Sequence, residues 1–208
     1  CKTILEKEGE LLLHEKGFQL KGKGAFDKGE VIHFSDIESF LIHKDQLEIS
    51  TFFHFRYVFS HFGNLFEQFM RDLYRAKNEF LIESLFFRQG KLTREYDGAF
   101  EYFDSEDSSL FKTTGKIRLY EQSIVIIPKD RDVFSFSFLF LKSHEFDEDE
   151  YRMKIISEDG TSVLLSQLGN DFEDFQEHFL EIFGNMYTEI LKEFQNFLDA
   201  LIETMYVE

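Results

Sequence analysis

The sequence predicts an α+β fold made of two tandem copies of one module. Two observations lead to this prediction: an internal repeat, and within each copy a run of short alternating apolar segments followed by one amphipathic helix. Each module is expected to be a curled antiparallel sheet, or a partly open barrel, of about 6–7 strands. A C-terminal helix caps each sheet, and the second helix is extended.

Two blocks of sequence recur at one spacing. Gly9–Leu20 aligns with Gly115–Ile126, and Ser60–Phe69 aligns with Ser166–Phe175, where six of ten positions are identical. Both alignments have an offset of 106 residues. Two separate blocks at the same offset indicate a duplicated module.

The spacing of apolar residues within each copy predicts where the strands, helices and modules begin and end. Period-two alternation predicts strands, with copy-two strands near 98–104, 115–120, 123–128, 133–140, 151–157 and 161–166. After Gly63 and Gly169 the apolar period becomes helical, and Asn64 with Glu67, like Asn170 with Glu173, is typical of a capping box. The predicted modules are 4–87 and 95–206, joined by Arg88 to Arg94, with the last helix at about 170–206.

This order of elements resembles the PH-like superfold, and more narrowly the tandem PH-like proteins of bacteria, a family of uncharacterised function. The segments that carry the resemblance are Gly9–Leu20, Phe34–Ile37, Leu47–Ser50, Phe62–Phe69, Gly115–Pro128 and Leu168–Phe175. The resemblance implies non-enzymatic docking of peptides, proteins or, in some members, phosphoinositides. Typical lipid-binding members use basic residues in a long first hairpin loop, whereas the corresponding turns here are the short Glu15–Gly17 and Glu121–Ser123.

The amino-acid composition disfavours some classes of binding partner. The chain of 208 residues carries 40 acids against 23 bases, a net charge of −17. Such a surface repels phosphate backbones and anionic headgroups, so we expect no nucleic-acid partner, and a membrane is disfavoured unless basic residues cluster locally. Cys1 is the one cysteine, which excludes an internal disulfide and a zinc ribbon within these residues.

The first residue has two interpretations. The chain is expected to be a cytoplasmic fragment of a longer protein, because Lys2–Leu5 leads almost directly into a strand. The alternative is a membrane-anchored lipoprotein whose mature N-terminus is a lipidated Cys1. In the first case the chain could be an adaptor or regulatory part of a protein that continues before Cys1.

One loop is a candidate anion site. Lys21, Lys23 and Lys28 lie among glycines, which let a backbone approach an anion closely. The hypothesis is peripheral binding to anionic lipid through Lys21–Lys28, and the alternative is a solvated loop.

Metal and catalytic sites are not predicted. The acidic run Glu145–Glu150 lacks the residue order of a calcium loop, and His33, His43, His54 and His61 are spread along different strands. No motif joins a nucleophile to a base, so we expect no enzyme, no catalytic residue and no cofactor.

The last helix is the most informative surface. Its apolar stripe continues beyond the length that a cap needs, through Met186, Ile190, Phe194, Phe197, Leu201 and Met205. Either this distal part folds back on the same chain, with a kink at Gly184–Asn185, or it contacts a protein partner or a second copy. The predicted function is a protein-interaction or scaffolding module.

Overall fold

The structure, a computed structural model, describes residues 9–22, 29–84 and 90–205. The fold is α+β, as predicted, with antiparallel sheets and two long helices. The chain divides into unit 1, Cys1–Leu85 with Lys129–Asp132, and unit 2, Phe86–Pro128 with Val133–Glu208.

Unit 1 contains six described strands and one helix. They are β1 (Gly9–His14), β2 (Gly17–Gly22), β3 (Glu30–His33), β4 (Ile37–His43), β5 (Gln46–Thr51), β6 (Arg56–Phe59) and α1 (Phe66–Ser84). The strands form two separate three-stranded antiparallel sheets, with orders β1-β2-β3 and β4-β5-β6.

Unit 2 contains seven described strands and one longer helix. They are β7 (Leu92–Phe103), β8 (Ser109–Tyr120), β9 (Ser123–Pro128), β10 (Phe134–Ser137), β11 (Leu141–Asp147), β12 (Arg152–Ser157), β13 (Ser162–Ser166) and α2 (Phe172–Met205). They form one antiparallel sheet in the order β10-β9-β8-β7-β13-β12-β11, which does not close into a barrel among the described strands. β7 begins at Leu92, earlier than the expected 98–104 and inside the stretch assigned to a linker.

The two units repeat one order of elements. β1 to β6 and α1 follow each other as β8 to β13 and α2 do, with short 3₁₀ turns at equivalent places. Even an irregularity recurs, since the pairing register shifts between Ile37 and Ser39 in unit 1 and between Leu141 and Ser143 in unit 2. β7 is the one strand of unit 2 without a described counterpart in unit 1.

The repeated glycines have structural reasons. Gly63 and Gly169, which precede the helices, have φ of +59° and +60°, a backbone conformation that favours glycine. A Cβ at Gly9 would lie 2.4 Å from the Lys21 carbonyl oxygen, and one at Gly115 would lie 2.0 Å from that of Ile127. The repeat therefore preserves close approaches and turns that the fold requires.

The predicted capping boxes are not formed. Asn64 and Asn170 lie inside the 3₁₀ turns that lead into α1 and α2, and those turns have no side-chain cap hydrogen bond. The physical reason is that the chain already curls before the helix begins, which moves the asparagine past the capping position.

Each unit has its own apolar core. In unit 2 the sheet packs on the first half of α2, and Phe172 and Phe175 are fully enclosed. In unit 1 the core centres on Phe18, Leu47 and Leu73. The counterparts of the two enclosed phenylalanines, Phe66 and Phe69, are only half-buried there, although they pack on the core.

Candidate functional site

The distal half of α2 is the largest exposed apolar surface of a helix in the described chain. α2 has 34 residues, a length of about 51 Å at 1.5 Å per residue. Met186 is buried in the core of unit 2 and Ile190 packs partly against it, so both serve the unit itself. Beyond them Leu198 is half-buried and the other large apolar side chains that the structure describes face solvent; they are Leu191, Phe194, Phe197, Leu201 and Ile202.

This set of five exposed residues is called the distal stripe below. Of the predicted partner-contact residues it contains Phe194, Phe197 and Leu201, whereas the side chain of Met205 is outside the described part. The stripe lies at helical spacing on a continuous helix, and exposed clusters of large apolar side chains of this kind mark interaction surfaces.

The helix does not turn back at the predicted kink. α2 continues through Gly184 and Asn185, and the Thr188 hydroxyl donates to the Gly184 carbonyl at 2.8 Å. Folding back would bury the stripe, yet its residues are exposed. The fold-back alternative is therefore not what the structure describes.

The distal part of α2 is acidic on the sides away from the stripe. At 3.6 residues per turn, Glu189, Glu193 and Asp199 lie outside the stripe and toward the opposite side of the helix, with the base Lys192, and the Gln195 amide donates to Asp199 Oδ1 at 2.8 Å. This part of the helix therefore carries negative charge that favours a partner with basic residues.

A second exposed apolar feature lies at the β5–β6 turn of unit 1. Phe52, Phe53 and Phe55 are 60%, 68% and 61% exposed. The turn itself is ordered by backbone hydrogen bonds, with the Thr51 N–H donating to the Phe55 carbonyl at 3.0 Å and the His54 N–H donating to the Thr51 carbonyl at 2.9 Å. We call these three phenylalanines the aromatic turn.

Sequence reasoning missed the aromatic turn, although a signal was present. At an offset of 106 residues the same turn of unit 2 reads Glu158-Asp159-Gly160-Thr161, which is polar throughout. Comparing the two copies position by position would have singled out a turn where one copy is aromatic and the other is not.

The predicted lysine loop is described only in part. Lys21 is exposed near the end of β2, whereas Lys23 and Lys28 fall outside the described residues. The structure therefore places one of the three lysines at the surface. The distances among the three are not described.

The acidic run and the histidines form no ligand group in the described ranges. Glu145–Glu150 covers the end of β11 and an exposed turn, where the Arg152 guanidinium pairs with Glu150 at 2.9 Å. No group of three or more potential metal ligands comes together among the residues that the structure describes.

Unit 2 has a cavity of about 760 Å³ beside the start of α2. Its charged lining is mixed in sign, with Lys112 and Arg152 among Glu101, Glu150 and Glu173. Its Ser166 hydroxyl donates to the Ala99 backbone carbonyl at 3.5 Å, not to a base.

No family model matches the chain, and no curated protein matches it. No helix in the described ranges combines the length and the apolar character needed to cross a bilayer.

Proposed function

We propose that the chain is a non-enzymatic, tandem PH-like binding module that docks a protein partner on the distal stripe of α2. Seven antiparallel strands followed by one helix in unit 2, and the same order with six described strands in unit 1, support the PH-like assignment. The observation that carries the docking proposal is the exposure of the stripe beyond Ile190.

The partner is an amphipathic helix with basic residues beside its apolar face. A helical partner fits because a straight helix presents anchors at intervals of three and four residues, which a second helix can match. Basic residues fit because the same part of α2 carries Glu189, Glu193 and Asp199. A second copy would set these acids against their equivalents, on a chain with a net charge of −17.

A titration with a designed helix tests the docking proposal. The probe is a labelled synthetic helix with leucines at alternating three- and four-residue spacing and lysines on both flanks. Fluorescence anisotropy should show saturable binding to the full chain, and Phe194→Ser with Phe197→Ser should weaken it at least about tenfold.

Two controls test whether binding depends on the distal stripe and on the charge of the probe. The matched protein variant, Phe52→Ser with Phe53→Ser, removes two equally exposed aromatic side chains from unit 1 and should leave the affinity unchanged. A probe with glutamates in place of the lysines should bind more weakly. Equal binding of both probes, or equal loss in both variants, would contradict the proposal.

Light scattering separates a partner helix from a second copy. The proposal expects a monomer, both for the full chain and after deletion of Ala200–Glu208. A dimer that Phe194→Ser with Phe197→Ser converts to a monomer would assign the stripe to self-association instead.

Peripheral binding to anionic membranes is the second candidate. The aromatic turn favours it, since exposed phenylalanines can enter the headgroup region of a bilayer, and Lys21 is exposed in the same unit. Sedimentation with vesicles containing phosphatidylserine tests it. Binding should be lost when Lys21, Lys23 and Lys28 are changed to Glu, and binding that persists would reject the loop as its cause.

A further inference from the structure

Exposed residues of α2 recur at a strict interval of seven. Leu180, Tyr187, Phe194 and Leu201 form one series, and Gly184, Leu191 and Leu198 form a second series that follows the first by four residues. All of them are exposed except Leu198, which is half-buried. We call these seven residues the heptad row. The row shares Leu191, Phe194 and Leu201 with the distal stripe and extends it toward the start of α2.

The heptad row lies on a side of α2 that unit 2 does not use for its own core. At 3.6 residues per turn, the row is about a third of a turn round the helix from the buried residues Phe179, Ile182 and Met186. Alternating intervals of three and four residues are the pattern by which helices pack in coiled coils, and a strict seven-residue repeat favours a left-handed supercoil. The spacing therefore specifies a helical occupant.

Gly184 leaves a hole in the heptad row. A Cβ at this position would meet no atom within 4 Å. Leu180 lies one turn before the hole and Tyr187 one turn after it, and the Tyr187 ring is 4.8 Å from that of Phe183, which packs against the core of unit 2. Since the centre of an interface packs as closely as a protein interior, a large side chain of the partner is needed to fill this place.

Acidic residues continue the two series toward the start of α2. Glu177 lies seven residues before Gly184, and Glu173 lies seven residues before Leu180; both are exposed. The row thus passes from apolar to acidic along one side of the helix. A partner helix that follows the row places its own side chains opposite these carboxylates, where lysine or arginine is complementary.

We propose that the partner helix forms a coiled coil with α2 along the heptad row, with a large apolar side chain over Gly184 and a basic residue one heptad away, opposite Glu177. This inference rests on the proposed docking function and specifies the sequence that the partner carries. A second copy does not supply that sequence, because the two series of α2 contain no base between Glu173 and Leu201.

Synthetic helices that differ at one core position test the contact with Gly184. Each is labelled and has leucines at intervals of three and four residues, with its central leucine changed to Trp in one helix and to Ala in the other. Fluorescence anisotropy with the full chain should show that the Trp helix binds at least about tenfold more tightly. In Gly184→Leu this preference should fall below about threefold, because the new side chain occupies the place of the Trp ring.

Asn185→Leu is the matched control for Gly184→Leu. Asn185 is exposed and lies on the side of α2 away from the heptad row, so the same side chain is added one residue further along the helix. This variant should keep the tenfold preference for the Trp helix. Far-UV circular dichroism checks that both variants are folded.

Two further helices test the contact with Glu177. Both carry the Trp, and one lysine lies either seven residues before it or seven residues after it. Only one of these places the lysine opposite Glu177, so that helix should bind at least about threefold more tightly than the other. Glu177→Gln should weaken the tighter helix, whereas Glu189→Gln, a change of the same kind away from the row, should not.

The outcomes separate this inference from the docking function on which it rests. Equal binding of the Trp and Ala helices that is lost in Phe194→Ser with Phe197→Ser would keep the distal stripe as the docking surface and reject the heptad row. No binding of any helix would reject both. Loss of the Trp preference in Asn185→Leu as well would reject the contact with Gly184. A dimer that Leu180→Ser with Tyr187→Ser converts to a monomer in sedimentation would assign the row to a second copy and overturn the proposal.

Discussion

Tyr96 covers Phe175 in unit 2, with the two rings perpendicular and 5.3 Å apart. Phe175→Ala should therefore destabilise the protein by about 3–5 kcal/mol, the usual cost of deleting an enclosed phenylalanine. Its repeat counterpart Phe69 is half-buried, and Phe69→Ala should cost about 1–2 kcal/mol.

Urea-induced unfolding followed by far-UV circular dichroism measures both variants. The matched pair distinguishes burial from residue type, since the same side chain is removed from the same place in each repeat. Equal losses of stability would show that the core of unit 1 is as well covered as that of unit 2.

Stability should depend on pH through His144. This imidazole packs between Phe179 and Phe183, with ring centroids at 5.2 and 5.0 Å, and burial lowers its pKa below the ordinary value of 6.5. The unfolded chain thus binds a proton more readily than the folded one. The contribution of the neutral ring is present above pH 6.5 and is lost as the pH falls through that value toward the lowered pKa.

His144→Gln removes this titration. Unfolding free energies of the two proteins between about pH 8 and about pH 5 should fall more steeply for the wild type. Parallel curves would mean that His144 is solvated in both states.

Lys77 is a buried, charged side chain. It is 7% exposed, its ammonium lies 2.7 Å from Asp132 Oδ1, and it also sits 4.3 Å from the centre of the Phe40 ring. Asp132→Asn should destabilise unit 1 by about 1–3 kcal/mol, because a buried cation loses its counter-ion.

A second substitution tests whether the unpaired charge of Lys77 causes this loss of stability. Lys77→Met in the Asp132→Asn background removes the unpaired cation and should restore most of the lost stability in urea unfolding. A double variant less stable than Asp132→Asn would show that packing of the lysine stem, not its charge, is what matters.

The distal stripe should be dispensable for folding. Phe194→Ser with Phe197→Ser should change the free energy of unfolding by less than about 0.5 kcal/mol per site, because both side chains already face solvent. Amides in the distal part of α2 should also exchange faster than those near Phe175, since few contacts hold them. A large destabilisation would mean that the stripe is part of the core.

Much of the fold was accessible from the sequence because the repeat preserves residues that the backbone needs. Gly63 and Gly169 have the same positive φ, and Gly9 and Gly115 lie against carbonyl oxygens of the next strand. The apolar patterns in β1, β2 and their counterparts predicted strands close to those observed, although β9 is buried at every position.

The remaining features depend on contacts that no local pattern records. The early start of β7 at Leu92 follows from its pairing with β8, where Leu92 lies opposite Tyr120. The different burial of Phe69 and Phe175 is invisible in the sequence, because the two residues are identical and the strand that covers one of them is far away in the chain.

The most direct test compares two equivalent backbone amides by hydrogen exchange measured with NMR. The Leu164 N–H points to β7, which pairs Leu164 with Glu101, whereas the Val58 N–H points away from β5 on a strand that has no second neighbour among the described residues. The account predicts slow exchange at Leu164 and fast exchange at Val58. Equally slow exchange at both amides in the free protein would contradict it.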